Sequence, residues 1–263
     1  MTAALQPIAG RARGKRPPFA LCYHGVGRPG PDGDGHGLMV APERLSEHID
    51  LLLGQGHRLV GAQELARAVT RGGAQSAAGL GALTFDDGLA ESMAAVAELL
   101  RGRAAGATAF IPSGLLGRPH PDLTDGRRIV DRVQLLELAA EGMEIGAHSV
   151  DHADLRSLPA AEALDQMRRS RADLEDILGR PVTGMAYPFG SFRAETERLA
   201  EDAGFESAWG CSGPGPWRSF ALPREPVFPA TTALRLRLKV AGLYGPVHRL
   251  QRMRHGYGSR RAT

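Results

Sequence analysis

Two clusters of side chains in this 263-residue chain have the types and spacing that hydrolytic metal chemistry needs. Thr84-Phe85-Asp86-Asp87-Gly88 ends an apolar run in two adjacent carboxylates. On a regular strand such neighbours face opposite sides. A strand end ahead of glycine can instead twist so that both reach one pocket, one binding a cation and the other free as a base. The same Asp-Gly pair also suits a plain polar turn. His148-Ser149-Val150-Asp151-His152 ends a second apolar run. Its imidazoles, at i and i+4, lie together if the segment takes one helical turn, a spacing suited to a divalent metal. With Asp87 they make three protein ligands and leave a position open, as in a catalytic rather than a structural zinc site. A cation there lowers the pKa of water and polarises a carbonyl oxygen, with Asp86 as the base that takes the proton.

These residues need elements to hold them. Short apolar runs predict strands at 18–23, 57–60, 81–85, 107–111, 143–147, 183–187 and 205–209. Between them, amphipathic segments predict helices at 42–53, 62–70, 90–104, 131–141, 159–178 and 193–203. The clearest is 159–178, where Leu164, Met167, Leu174, Ile177 and Leu178 recur at helical spacing before Gly179 and Pro181. Alternating strand and helix implies parallel strands joined by right-handed crossovers. About seven such units in a chain of this length fit a closed α/β barrel, which takes about 250 residues. An open sheet is the alternative. Gly/Pro-rich loops at 25–38 and 210–219 fall at strand ends, where a barrel carries its chemistry. The reading divides the chain into a basic N-terminus (1–17), one catalytic domain (18–229) and a basic, partly helical tail (230–263).

The apolar fraction of 43% and the charged fraction of 23% are those of a globular chain. A net charge of +3 does not imply a nucleic-acid partner. The excess is concentrated at 11–16 and from Arg235 to Arg261, which suits either solvated ends or peripheral contact with a membrane or glycolipid. Cys22 and Cys211 form neither a disulfide framework nor a C-x-x-C pair. No apolar stretch reaches the ~20 residues of a membrane span. The N-terminus has no signal-like apolar region, so the expected location is cytoplasmic.

The two motifs, in this order and about 60 residues apart, resemble those of the NodB-homology polysaccharide deacetylases, carbohydrate esterase family 4. The resemblance runs over roughly residues 18–226. It implies a distorted (β/α) barrel that hydrolyses acetamido sugars with a divalent metal. Asp87, His148 and His152 are then the ligands and Asp86 the base. Zinc is the default metal, though the ligand set also suits cobalt, nickel or manganese. Two family motifs are altered. Ala186-Tyr187-Pro188-Phe189-Gly190 lacks the usual arginine, and Leu222-Pro223-Arg224 stands where a late Leu-x-His supplies the acid. Cys22-Tyr23-His24-Gly25 is similar to the branch containing biofilm poly-N-acetylglucosamine deacetylases, whose acid histidine comes early. On that basis His24 is the expected acid, with His120 and His36 as alternatives, and Arg224 the expected partner of Asp86. The Phe189 N–H is the expected oxyanion donor, Tyr187 a residue lining the sugar pocket, and Trp209 or Trp217 a stacking surface or core. O-acetyl ester hydrolysis, hydrolysis of a non-sugar amide and a carbohydrate-binding pseudoenzyme are the competing functions.

Overall fold

The computed structural model describes residues 16–29, 37–211 and 213–243. In chain order its strands are β1 (Phe19–Tyr23), β2 (Gly25–Val26), β3 (Met39–Val40), β4 (Arg58–Val60), β5 (Leu80–Phe85), β6 (Ala107–Ile111), β7 (Glu144–Ala147), β8 (Gly184–Ala186), β9 (Ser207–Trp209) and β10 (Glu225–Pro226). Its helices are α1 (Pro42–Gly54), α2 (Ala62–Ser76), α3 (Ala90–Leu100), α4 (Arg132–Ala140), α5 (Ala160–Leu178), α6 (Ala194–Asp202) and α7 (Ala233–Val240).

Seven parallel strands curl round in the order β10-β1-β5-β6-β7-β8-β9. A parallel bridge from Trp209 to Leu222, just ahead of β10, joins the two ends. This is the expected distorted barrel, with one exchange among its members. The expected strand at 57–60 exists as β4, but it pairs with the first half of β5, reaches the approach to β6 through a single bridge from Leu59 to Ala105, and lies off the ring. Its place is taken by β10, which the apolar pattern misses because it is two residues long and ends in proline. β2 and β3 form a separate parallel pair across the glycine-rich loop.

The strand period of two sorts the side chains. On β1, Phe19, Leu21 and Tyr23 join the outer core beneath the helices, whereas Ala20 faces the interior. Ala82, Phe110, Ala186, Trp209 and Leu222 make the matching interior layer. Phe110 fits because its neighbour is Gly146, where a Cβ would overlap its ring. Burying a ring of this size contributes about 1.5–3 kcal/mol. The start of α2 stops the lower end of the barrel. There Ala62 N–H donates to Thr108 Oγ1 (2.8 Å) and Gln63 N–H to Glu144 (3.0 Å).

The helices follow from local signals. Pro42 opens α1, which buries Leu45, Ile49 and Leu52. Asp131 and Gln134 form a reciprocal capping box on α4. Gly179, with φ of 64°, ends α5 in the left-handed cap its sequence predicts. α7 packs on α1, and its buried Lys239 pairs with Glu225 of β10 at 3.4 Å.

Candidate active site

Because the ring strands are parallel, their C-terminal ends meet at one mouth, and the chemistry-bearing residues collect there. Asp86 follows β5, its backbone N–H bonded to Tyr23 O of β1 (2.9 Å). Arg224 reaches it from the segment that closes the ring. The guanidinium grips both oxygens, Nη1 to Oδ1 at 2.6 Å and Nη2 to Oδ2 at 2.8 Å. It also donates to Thr84 Oγ1 (3.0 Å) and Gly210 O (2.9 Å) and lies over the Phe110 ring at 5.2 Å. Cys22 adds a thiol contact to Asp86 Oδ2 at 3.4 Å. Burial alone would raise the Asp86 pKa, but Arg224 and then His148 outweigh it and hold the carboxyl below its ordinary value. Asp86 is therefore an ionised carboxylate fixed in two dimensions by a planar fork.

Asp87 turns the other way because its backbone is left-handed (φ 70°) and Gly88 follows in the same region (φ 66°). At Gly88 an added Cβ would overlap Ile111 Cδ1 of β6. The histidine segment does not form the expected helical turn. Ser149 (φ 62°) and His152 (φ 58°) are both left-handed, and the loop folds back on itself. It is held from outside by Gln166 of α5, whose Oε1 accepts the N–H groups of Val150 (2.9 Å) and Asp151 (3.2 Å). Backbone bonds from His148 to Ile111, Ser113 to Ser149 and Gly114 to Val150 tie it to the end of β6.

Both imidazoles are orientated through Nδ1. That of His148 lies 2.9 Å from Ala186 O, and that of His152 lies 3.0 Å from Asp122 Oδ2. In the neutral ring, the form that binds a cation, each acceptor holds the proton on Nδ1 and turns the Nε2 lone pair toward Asp87. Asp87 Oδ1 sits 3.1 Å from His152 Nε2 and 3.6 Å from His148 Nε2, yet makes no well-formed hydrogen bond among the described residues. Burial raises its pKa, but the surrounding histidines drive it well below the ordinary value. Burial lowers and the carboxylates of Asp122 and Asp87 raise the His152 pKa, leaving it pushed up to about 10. One oxygen and two nitrogens within 4.8 Å of one another, buried and aimed inward, fit a small divalent cation.

His24, partly exposed, shares a second cluster with Cys22 and Asp86 within 4.8 Å. Burial pushes its pKa below the ordinary histidine value against the pull of Asp87 and Asp86. Phe189 is left-handed (φ 59°) and 48% exposed, its ring 4.7 Å from that of His152, so it presents an apolar face beside the imidazoles. Tyr187 does not line the pocket. It is fully buried, stacks on Phe192 at 5.2 Å and donates its hydroxyl to Phe220 O (2.9 Å), which anchors the turn carrying Phe189. Trp209 is core, with Trp217 edge-on to it at 6.5 Å. His36 lies outside the described residues. Asp122 and Gln166 were missed in the sequence, since a loop aspartate and a helical glutamine carry no spacing signal.

The profile of the polysaccharide deacetylase family matches residues 75–208, half of the chain. YxkH of Bacillus subtilis (strain 168), provisionally named a polysaccharide deacetylase, is 25% identical over 186 residues. The match covers 71% of this chain and 61% of that protein, so the chain spans less than two thirds of this relative. Among solved structures, the Streptococcus pyogenes deacetylase PplD in complex with acetate shares the fold with a TM-score of 0.72 at 19% identity, over 85% of this chain and 98% of that one. IcaB from Ammonifex degensii does so at 0.72 and 22%, over 86% and 97%. Together with the two motifs at the barrel mouth, the profile match decides the family: this chain is a polysaccharide deacetylase family member.

Proposed function

We propose that this protein hydrolyses the acetyl group of an N-acetylated sugar, with Asp86 as base and His24 as acid. The observation that carries the reading is the division of labour between two adjacent carboxylates. Asp86 is locked to Arg224 as a fixed anion, and Asp87 is turned into a cage of imidazoles. A divalent cation held by Asp87, His148 and His152, zinc first and cobalt, nickel or manganese otherwise, would supply Lewis acidity to the acetyl oxygen and to water. Asp86 takes a proton from the water that attacks the acetyl carbon. Arg224 keeps that carboxylate charged and aimed. The N–H of Phe189 receives the developing negative oxygen. His24 gives a proton to the nitrogen as the C–N bond breaks, leaving a free amine and acetate.

Acetate release from a panel of acetamido sugars, oligosaccharides and lipid-linked glycosides by zinc-loaded protein tests this. Asp86→Asn should lower turnover by about 10²–10⁴-fold without loss of metal. A variant as active as the wild type would remove Asp86 from the role. Retained turnover in His24→Ala would move the acid elsewhere. O-acetyl substrates separate the ester reading, because a better leaving group depends less on His24.

We also propose that the basic C-terminal region meets an anionic membrane surface. Leu234 (66% exposed), Leu238 and Leu243 (68%) stand out from the α7 region beside Arg235 and Arg237. Residues 226–263 contain no Asp or Glu. Lys239 does not contribute, being turned inward to Glu225. Co-sedimentation with vesicles rich in anionic lipid should fall on Leu234→Glu with Leu238→Glu. Equal binding to neutral vesicles would remove the electrostatic part.

A further inference from the structure

His120 lies beside the cage in a segment held as firmly as a strand. Its N–H bonds to Arg127 O (2.8 Å), Ile129 N–H to Arg118 O (2.9 Å), and Val130 N–H to Gly88 O (2.9 Å). The hairpin-like loop is thus tied to the residue that follows Asp87. The ring is 4% exposed and stands 4.9 Å from that of His152. Its Nδ1 accepts the backbone N–H of Asp122 at 3.2 Å. In the neutral ring that leaves the proton on Nε2. Nε2 sits 3.6 Å from Asp87 Oδ1 and has no hydrogen-bond partner among the described residues.

A buried donor without an acceptor is costly to keep. The opposite tautomer would make Nε2 a fourth ligand, but it would set an Nδ1–H donor against the Asp122 N–H donor. We infer that His120 is a substrate-contacting donor, its Nε2–H reserved for the acetyl oxygen of the substrate and for the carboxylate of released acetate. The inference rests on the deacetylase reading and adds to it a second fixed donor, on the Asp122 side of the cage.

The test compares wild type, His120→Ala and His120→Gln at matched zinc content. Three quantities are measured: acetate affinity by calorimetry, zinc affinity by chelator competition, and kcat and KM on the best acetamido sugar. His120→Ala is expected to weaken acetate binding and lower kcat/KM by about tenfold to a hundredfold. Zinc affinity should stay within about twofold. His120→Gln, which keeps an N–H, should recover part of both losses. Zinc affinity falling with His120→Ala by as much as acetate affinity would make His120 a ligand and overturn the assignment. So would unchanged acetate affinity and kcat/KM. Wild type that binds zinc but neither binds nor releases acetate would sink the deacetylase reading itself, an outcome distinct from a wild type that works and a His120 that does not matter.

Discussion

Asp86 and Arg224 are both buried, so each depends on the other for its charge. Removing the arginine in Arg224→Met leaves an uncompensated carboxylate and should cost about 3–5 kcal/mol of stability by denaturant unfolding. Because the folded pKa of Asp86 is below its unfolded value, the stabilisation is present above the unfolded pKa and lost as pH falls through the folded one. The gap between wild type and variant should therefore narrow in acid. Arg224→Lys keeps the charge but not the fork, and should hold more stability than activity. Asp122 acts one bond further from the chemistry. Asp122→Asn leaves the His152 Nδ1–H facing an uncharged amide, and zinc affinity by chelator competition should drop about 10–100-fold. The residue types of the cage were readable because they close two apolar runs. Of the residues that orientate them, Arg224 is expected only through the family resemblance and Asp122 not at all, because the partners are remote: 138 positions separate Arg224 from Asp86, and 30 separate Asp122 from His152.

Elements were legible wherever one periodicity ran long enough. α5 shows its stripe and its glycine cap in the sequence, and β5 and β6 are mainly apolar runs in which the polar residues are Thr84 and Thr108. β10 and the 148–152 loop failed for opposite reasons. β10 is too short and too polar to register, and the loop reads as a helical turn because i, i+4 spacing says nothing about φ. Its true shape is imposed by Gln166 and by the end of β6. At the β5 end the geometry is equally strict. Gly88→Ala should cost about 1–3 kcal/mol, since the new Cβ meets Ile111 and the φ is positive. Circular dichroism should show the fold retained while zinc affinity falls with the displaced Asp87. At the lower end of the barrel, Glu144→Ala strips the Gln63 N–H and Thr108 of their acceptor. A loss of about 2 kcal/mol in thermal or denaturant unfolding is expected, with the metal site untouched.

Across the whole molecule, the cage joins the ends of β5 and β7 with the loop after β6, three neighbours in the ring. A cation there binds only the folded state and should raise the stability of the barrel as a unit, by ~2.7 kcal/mol at a hundred times its dissociation constant. A chelator should reverse this in a thermal melt. Elsewhere the ring is joined by the strand that lies furthest along the chain. Glu225 pairs beside Leu21, so β10 must find β1 across most of the sequence. On a ribosome, β1 and β5 leave the exit tunnel with the Asp86 charge exposed, and 138 further residues must be added before Arg224 appears. At about 5–20 residues per second that wait is roughly 7–28 s. Until it ends, the nascent chain has an open barrel edge and an anion with no counter-charge. That interval is when the protein is most exposed to chaperones and proteases, and a shortened transcript ending before codon 224 would leave it there permanently.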